Sequence, residues 1–156
     1  MHPKMANFSL EEWADSWIRT AGLNELELKW ETGRSNAVTR FIMHQSAALP
    51  DYPELRSHKI NAHFINKNAN VFRKTPILIK AQEQTAYYEF SRVKGAVCII
   101  PNGDDHGYCK INLDPRSIEW LKDNLNRLPA ELTRMIVWRS LWDSVRDAKL
   151  SAVEFI

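Results

Sequence analysis

Hydrophobic residues change their period twice along this chain. Leu10, Trp13, Ala14, Trp17 and Ile18 recur at helical spacing, and Gly22 stops the run. Ser9 and Glu12 form a capping box ahead of it, and Phe8 with Trp13 has the spacing of a hydrophobic staple. From Leu26 the period drops to two: "LELKW" puts Leu26, Leu28 and Trp30 on one face and charges on the other. Strand-like runs follow at residues 37–45, 58–66, 76–82, 86–90, 96–100 and 107–113, with turn-forming stretches such as "TGRSN", "LPDYP", "NKNAN" and "NGDD" between them. Short strands about ten residues apart predict a β-sandwich or barrel.

The second change comes at Asp114. Asp114 as cap and Pro115 as first helical residue start a helix that carries Ile118, Leu121, Leu125 and Leu128, with Trp120 beside the stripe. A second helix opens at Pro129 and is expected to turn Leu132, Met135, Ile136, Leu141, Trp142 and Val145 inward. "SAVE" at 151–154 is another capping box, with Phe155 and Ile156 beginning an apolar face. A cap announces a helix, and isolated helices need about 12–15 residues to be even marginal in water. The terminal helix and this late cap together predict a segment of a longer protein. The fold class is therefore mixed, mainly β followed by α: an antiparallel sandwich with an N-terminal helix and a C-terminal helical hairpin.

Composition narrows the function classes. Of the 156 residues, 44% are hydrophobic and 26% charged, a globular profile, and a net charge of +2 with scattered Lys and Arg gives no basic stripe for nucleic acid. The longest apolar run, "AVCII", is far too short to cross a bilayer, and the start lacks the apolar core of a signal peptide. A cytoplasmic location is expected. Cys98 and Cys109 are too few for a disulfide framework and are expected as buried thiols. Six tryptophans are a heavy load, and such side chains need deep burial or a partner surface.

The densest candidate chemistry is "PNGDDHGYCKINLDPRS" at 101–117, where Asp104, Asp105, His106 and Cys109 crowd together. One His and one Cys without a second pair fall short of zinc, which takes Cys and His in short paired spacings. Two aspartates fall short of calcium, which needs six or more oxygens. Asn-Gly between two β-rich runs reads instead as a hairpin turn, with Asp114 capping the helix that follows. His44, His58 and His63 form no catalytic spacing, and no nucleophile elbow, phosphate loop or dinucleotide fingerprint occurs. Glu11, Glu12, Asp15, Asp143 and Asp147 have the spacing of solvated helix faces. Tyr87 and Tyr88 could stack bases, but adjacent strand residues face opposite ways, so at most one is available.

Four longer stretches carry a family resemblance. "WADSWIRTAGLNELEL" at 13–28 resembles the end of the catalytic domain in zinc aminopeptidases of the aminopeptidase N (gluzincin) type. "HQSAALPDYPELRSHKINAHFI" at 44–65 is similar to that family's β-sandwich, and "IIPNGDDHGYCKINLDPRSIEWLKDNL" at 99–125 to its "PNxxDxGYxKxxLDxxS" segment. "RMIVWRSLWDSVRDAKLSAVEFI" at 134–156 resembles the opening of an endoplasmic-reticulum-aminopeptidase-like C-terminal helical domain. Cys109 is a departure, since relatives often carry an aromatic or small residue there.

The resemblance implies three parts: residues 1–24 as the terminal helix of a catalytic domain, 25–113 as a β-sandwich domain, and 114–156 as the first helices of a helical domain. In that family a His-Glu-x-x-His motif and a downstream Glu hold zinc, and Gly-x-Met-Glu-Asn grips the substrate amino terminus. None of these motifs occurs here. No catalytic, cofactor-binding or metal residue is therefore assigned, zinc is expected only in a full-length enzyme, and this chain alone is expected to be inactive. Expected partners are the rest of that enzyme, or a second copy meeting an exposed apolar surface, with neither nucleic acid nor membrane. The alternative is a free-standing β-sandwich interaction module that docks through Trp13 and Trp17.

Overall fold

A computed structural model describes residues 9–155, apart from the side chains of Glu12 and Glu154. The Phe8 staple, the Glu12 and Glu154 halves of the two capping boxes, and Ile156 lie outside the described residues. One helix, α1 (Leu10–Trp17), precedes two sheets. Strands β1 (Asn24–Thr32), β2 (Val38–Ala47), β5 (Gln84–Ala86) and β7 (Lys110–Asn112) form the first, in the order β5-β2-β1-β7. Strands β3 (His58–Ile65), β4 (Val71–Ile79) and β6 (Cys98–Ile100) form the second, in the order β4-β3-β6. Helix α2 (Pro115–Asn124), a 3-10 turn at Leu125–Arg127, α3 (Glu131–Arg146) and a short α4 (Ala152–Phe155) complete the described chain.

The sandwich and the flanking helices agree with the period changes of the sequence. Strand β1 alternates as expected, with Leu26, Leu28 and Trp30 buried, and it pairs antiparallel with β2 from Asn24↔Ala47 onward. Phe41 on β2 stacks on Phe64 on β3 at 5.9 Å between ring centroids, and Phe90 packs against both, so an aromatic cluster joins the sheets. Among the sheet pairings, β7 runs parallel to β1, whereas the remaining ladders are antiparallel.

Three strand expectations change. Strand β4 begins at Val71, five residues before the run at 76–82, because its first half is a sheet edge whose Phe72, Arg73 and Lys74 face solvent and show no apolar alternation. Pro76 sits in this edge strand, where the missing N–H costs no ladder bond within the sheet. Strand β5 ends at Ala86, because Tyr87 and Phe90 fold inward while Tyr88 stays 84% exposed. The Tyr87 hydroxyl donates to the carbonyl of Leu78 at 2.8 Å, so one tyrosine of the pair is core and the other exposed, although both lie just beyond the strand.

The third change concerns the hairpin read at "NGDD". The turn exists, yet it joins no hairpin: β6 pairs with β3 and β7 with β1, so residues 101–109 cross from one sheet to the other. Turn signals fix where a chain reverses locally and leave open which strands then pair.

Helix α3 also departs from its expected orientation. Its buried residues are Thr133, Ile136, Val137, Ser140 and Ser144, while Leu132, Met135, Trp138 and Trp142 are exposed. The small Thr and Ser side chains let the helix lie close to the sandwich: the Thr133 hydroxyl donates to the Gly103 carbonyl at 3.3 Å. Polar residues that bond back to the backbone make this face buryable, so the larger apolar residues turn outward. Ser144 illustrates the device, donating to the Ser140 carbonyl at 2.9 Å.

Candidate functional site

The Asp-rich segment is a structural turn built from inside. Asn102 is fully buried at a φ of 54°, and its side chain closes the loop in both directions, donating from Nδ2 to the Gly107 carbonyl and accepting the Gly107 N–H at Oδ1, each at 2.9 Å. Gly103 then passes so close to His63 that a Cβ there would lie 2.4 Å from the imidazole. Only a residue without a side chain fits that approach.

Each expected ligand is drawn to a different partner. Asp104 accepts from Lys74 at 2.8 Å and from Asn61 at 2.9 Å, and its Oδ1 lies 2.9 Å from Nε2 of the buried His63. Partial burial would raise its pKa, but these contacts outweigh burial and hold the carboxyl well below the usual range. Asp105 turns away to Arg139 on α3 at 2.7 Å. His106 Nδ1 lies 3.5 Å from Asn61 Nδ2, and Cys109 is a buried thiol whose pKa burial pushes up to about 12. Cys98 is likewise a free buried thiol pushed up to about 12. Among the described residues no group of three or more His, Cys, Asp or Glu is gathered to hold a metal ion. The donors present do not fit zinc, since they diverge to separate partners. Asp114 caps α2 as expected, accepting the Ser117 N–H at 3.0 Å.

The arrangement that stands out is a pair of polar nodes fastening the flanking helices to the sandwich. The first sits where α1 meets β1. Arg56 is only 3% exposed, and its guanidinium donates to the Ser16 carbonyl at 2.7 Å, the Thr20 hydroxyl at 2.6 Å and the Ala21 carbonyl at 2.7 Å. Carbonyls at a helix C-terminus lack intrahelical partners, and here a buried cation supplies them. The same guanidinium lies 5.6 Å from the Trp17 ring. Buried Asn24 holds the segment from behind, accepting the Arg56 N–H at 3.0 Å and Gln45 Nε2 at 3.1 Å. His58 Nε2 lies 3.1 Å from Asn24 Oδ1, an acceptor, so that nitrogen carries the proton of the neutral ring. Burial, with the Arg56 charge nearby, pulls the His58 pKa down to about 4.

The second node sits where α3 ends. Lys110 on β7, 7% exposed, bonds to Glu25 at 3.1 Å and to Asp147, the residue that closes α3. Lys149 reaches the other oxygen of Glu25 at 2.8 Å, and Asn112 donates to that oxygen at 2.9 Å. Burial alone would raise the Glu25 pKa, yet the bonds from Lys149, Asn112 and Lys110 hold it below the ordinary carboxyl value. Neither node was legible beforehand. Arg56 lies in the loop before β3, Asn24 at the very start of β1 and Lys110 in a short strand, and no local pattern marks any of the three.

Both helical flanks keep large apolar residues in solvent. Leu10 on α1 and Ile18 just beyond it are exposed with Trp13, at 48%, and so are Met135, Trp138 and Trp142 on α3. Of the six tryptophans only Trp30 is buried. Trp13, Trp17, Leu78 and Tyr108 line a groove of about 570 Å³ between α1 and the sheet. Trp138, Leu141, Val153 and Phe155 line another of about 520 Å³ between the C-terminal helices, with Phe155 5.2 Å from the Trp138 ring. No described helix is long and apolar enough to cross a membrane.

No family model matches the chain. It is 30% identical over 155 residues to aminopeptidase N of Streptomyces lividans, an alignment that takes in 94% of this chain and 18% of the relative. The chain thus spans less than a fifth of the length of the curated relative it matches. Nearly from end to end, it is similar to one stretch of an aminopeptidase N.

Proposed function

We propose that this chain is a non-catalytic scaffold segment of a zinc-dependent aminopeptidase of the aminopeptidase N type. Residues 1–24 are the terminal helix of its catalytic domain, 25–113 its β-sandwich, and 114–156 the first helices of its C-terminal helical domain. The observation that carries the reading is the 30% identity over 94% of the chain. Two features support it. Leu10 on α1 and Met135, Trp138 and Trp142 on α3 stand in solvent, where neighbouring domains of a larger enzyme would cover them. The Arg56 and Lys110 nodes tie the ends of those helices to the sandwich, as a scaffold between two larger bodies requires.

In the intact enzyme the segment props the catalytic domain and helps to wall the chamber that admits peptide amino termini. The 156-residue chain by itself does not hydrolyse peptides. The test is an aminoacyl-arylamide assay on the purified chain: no turnover above buffer is expected, and hydrolysis abolished by a chelator would overturn the reading. Sedimentation velocity separates the scaffold from a free-standing interaction module. The scaffold self-associates through its exposed faces, whereas a module evolved to stand alone stays monomeric at the same concentration.

A further inference from the structure

Asn24 and Glu25 are consecutive at the start of β1, so their side chains leave opposite faces of the sheet. Asn24 points inward and anchors the α1 node: its Nδ2 donates to the Glu54 carbonyl at 2.7 Å, and its Oδ1 accepts the Arg56 N–H at 3.0 Å. Arg56 in turn holds the Ser16 carbonyl in the last turn of α1 and the Ala21 carbonyl in the segment that follows it. Glu25 points outward and anchors the α3 node, taking Lys110 on one oxygen and Lys149 on the other. Lys110 continues to Asp147 at the end of α3. Both helical flanks are therefore tied to one dipeptide.

The backbone between the two anchors is held from both sides. Asn24 is paired with Ala47, and Glu25 with Ser46 on β2 and Lys110 on β7. Consecutive residues share a peptide plane, so a shift that spoils the Asn24 contacts also moves the Glu25 carboxylate relative to its lysines. Hydrogen bonds weaken steeply with misalignment, and ion pairs this buried depend on good geometry.

We propose that the Asn24–Glu25 dipeptide is a coupling element between the two helical flanks: release of α1 from its node loosens the end of α3, and release of α3 loosens α1. The inference rests on the contacts of this chain and not on the aminopeptidase reading. If that reading holds, the same dipeptide fixes the catalytic side of the enzyme relative to its helical side.

Hydrogen exchange on the full 156-residue chain tests it with two substitutions that leave β1 untouched. Thr20→Val removes one partner of the Arg56 guanidinium, and Lys149→Met removes one partner of Glu25. Thr20→Val is expected to speed exchange at the end of α1 by roughly tenfold and across residues 145–150 by about threefold. Lys149→Met is expected to do the reverse. The double variant should then show less than the product of the single effects. Changes confined to the mutated flank, with multiplicative effects in the double variant, would overturn the proposal. Asn24→Ala should loosen both flanks at once, and if it unfolds the chain the Thr20 and Lys149 cycle still decides.

Discussion

His58 makes acid stability a direct measure of the α1 node. The ring is 3% exposed, meets the edge of Trp17 at 5.3 Å between centroids, and bonds through Nε2 to Asn24. Burial and the neighbouring Arg56 charge lower its pKa from 6.5 to about 4. A base whose folded pKa lies below its unfolded value stabilises the fold fully above the unfolded value, here 6.5, and loses that contribution as pH falls towards the folded value. A shift of this size corresponds to about 3 kcal/mol over the whole window, of which about 2 kcal/mol is lost by pH 5. The assay is urea unfolding followed by tryptophan fluorescence at a series of pH values from neutral to pH 5, for the native chain and for His58→Gln. Glutamine keeps an N–H for Asn24 and carries no charge at any of these pH values. His63 also titrates low, because burial outweighs its contact with Asp104, but it is present in both proteins and cancels in the comparison. The native chain should lose about 2 kcal/mol more than the variant over this range. Parallel curves for the two proteins would show that His58 is not a buried neutral ring, and the account of the node would fail.

Three further outcomes are expected. Gly103→Ala forces a methyl to within 2.4 Å of the His63 ring and should cost about 3 kcal/mol or more in urea unfolding, whereas Gly95→Ala, which meets open space at a φ of 86°, should cost only about 1–2 kcal/mol. Cys98 and Cys109, both buried with pKa values pushed up to about 12, should react with a disulfide reagent at pH 8 at least 100-fold more slowly in the native than in the urea-unfolded chain, an estimate that follows from thiolate fraction and access. Replacing Met135 and Trp142 together by Gln should reduce self-association in sedimentation velocity and leave the unfolding midpoint nearly unchanged, because these side chains are 51% and 55% exposed.

How much of this was readable from the residues divides along physical lines. Strand β1 was legible because alternation reports directly on burial, β2 and β3 because apolar and β-branched runs lie between turn signals, and Asp114-Pro115 because a helix cap is a local bond. The β4 boundary was missed because an exposed edge carries no alternation, and the pairing of β6 and β7 because register is decided by distant strands. The buried face of helix α3 was legible only in part: Ile136 and Leu141 turn inward as expected, but hydrophobicity ranks Trp142 above Ser140, whereas close packing favours the smaller side chain. In the Asp104–Cys109 segment the local turn could be read from Asn102-Gly103. The partners that scatter those residues, Lys74, Asn61 and Arg139, lie 30 to 45 positions away in sequence. Arg56 and Lys110 belong to the same class of long-range pairings.

The edge strand β4 directs how this molecule can stick to others. Open sheet margins invite a second chain to add its own strand, and repeated addition ends in fibrils. Pro76 interrupts that template by withholding a donor, while Arg73 and Lys74 line the same margin with positive charge. Growth by strand exchange is thereby disfavoured along this border. The tryptophans left in solvent lie elsewhere, on the helical sides, where Trp13, Trp138 and Trp142 are exposed.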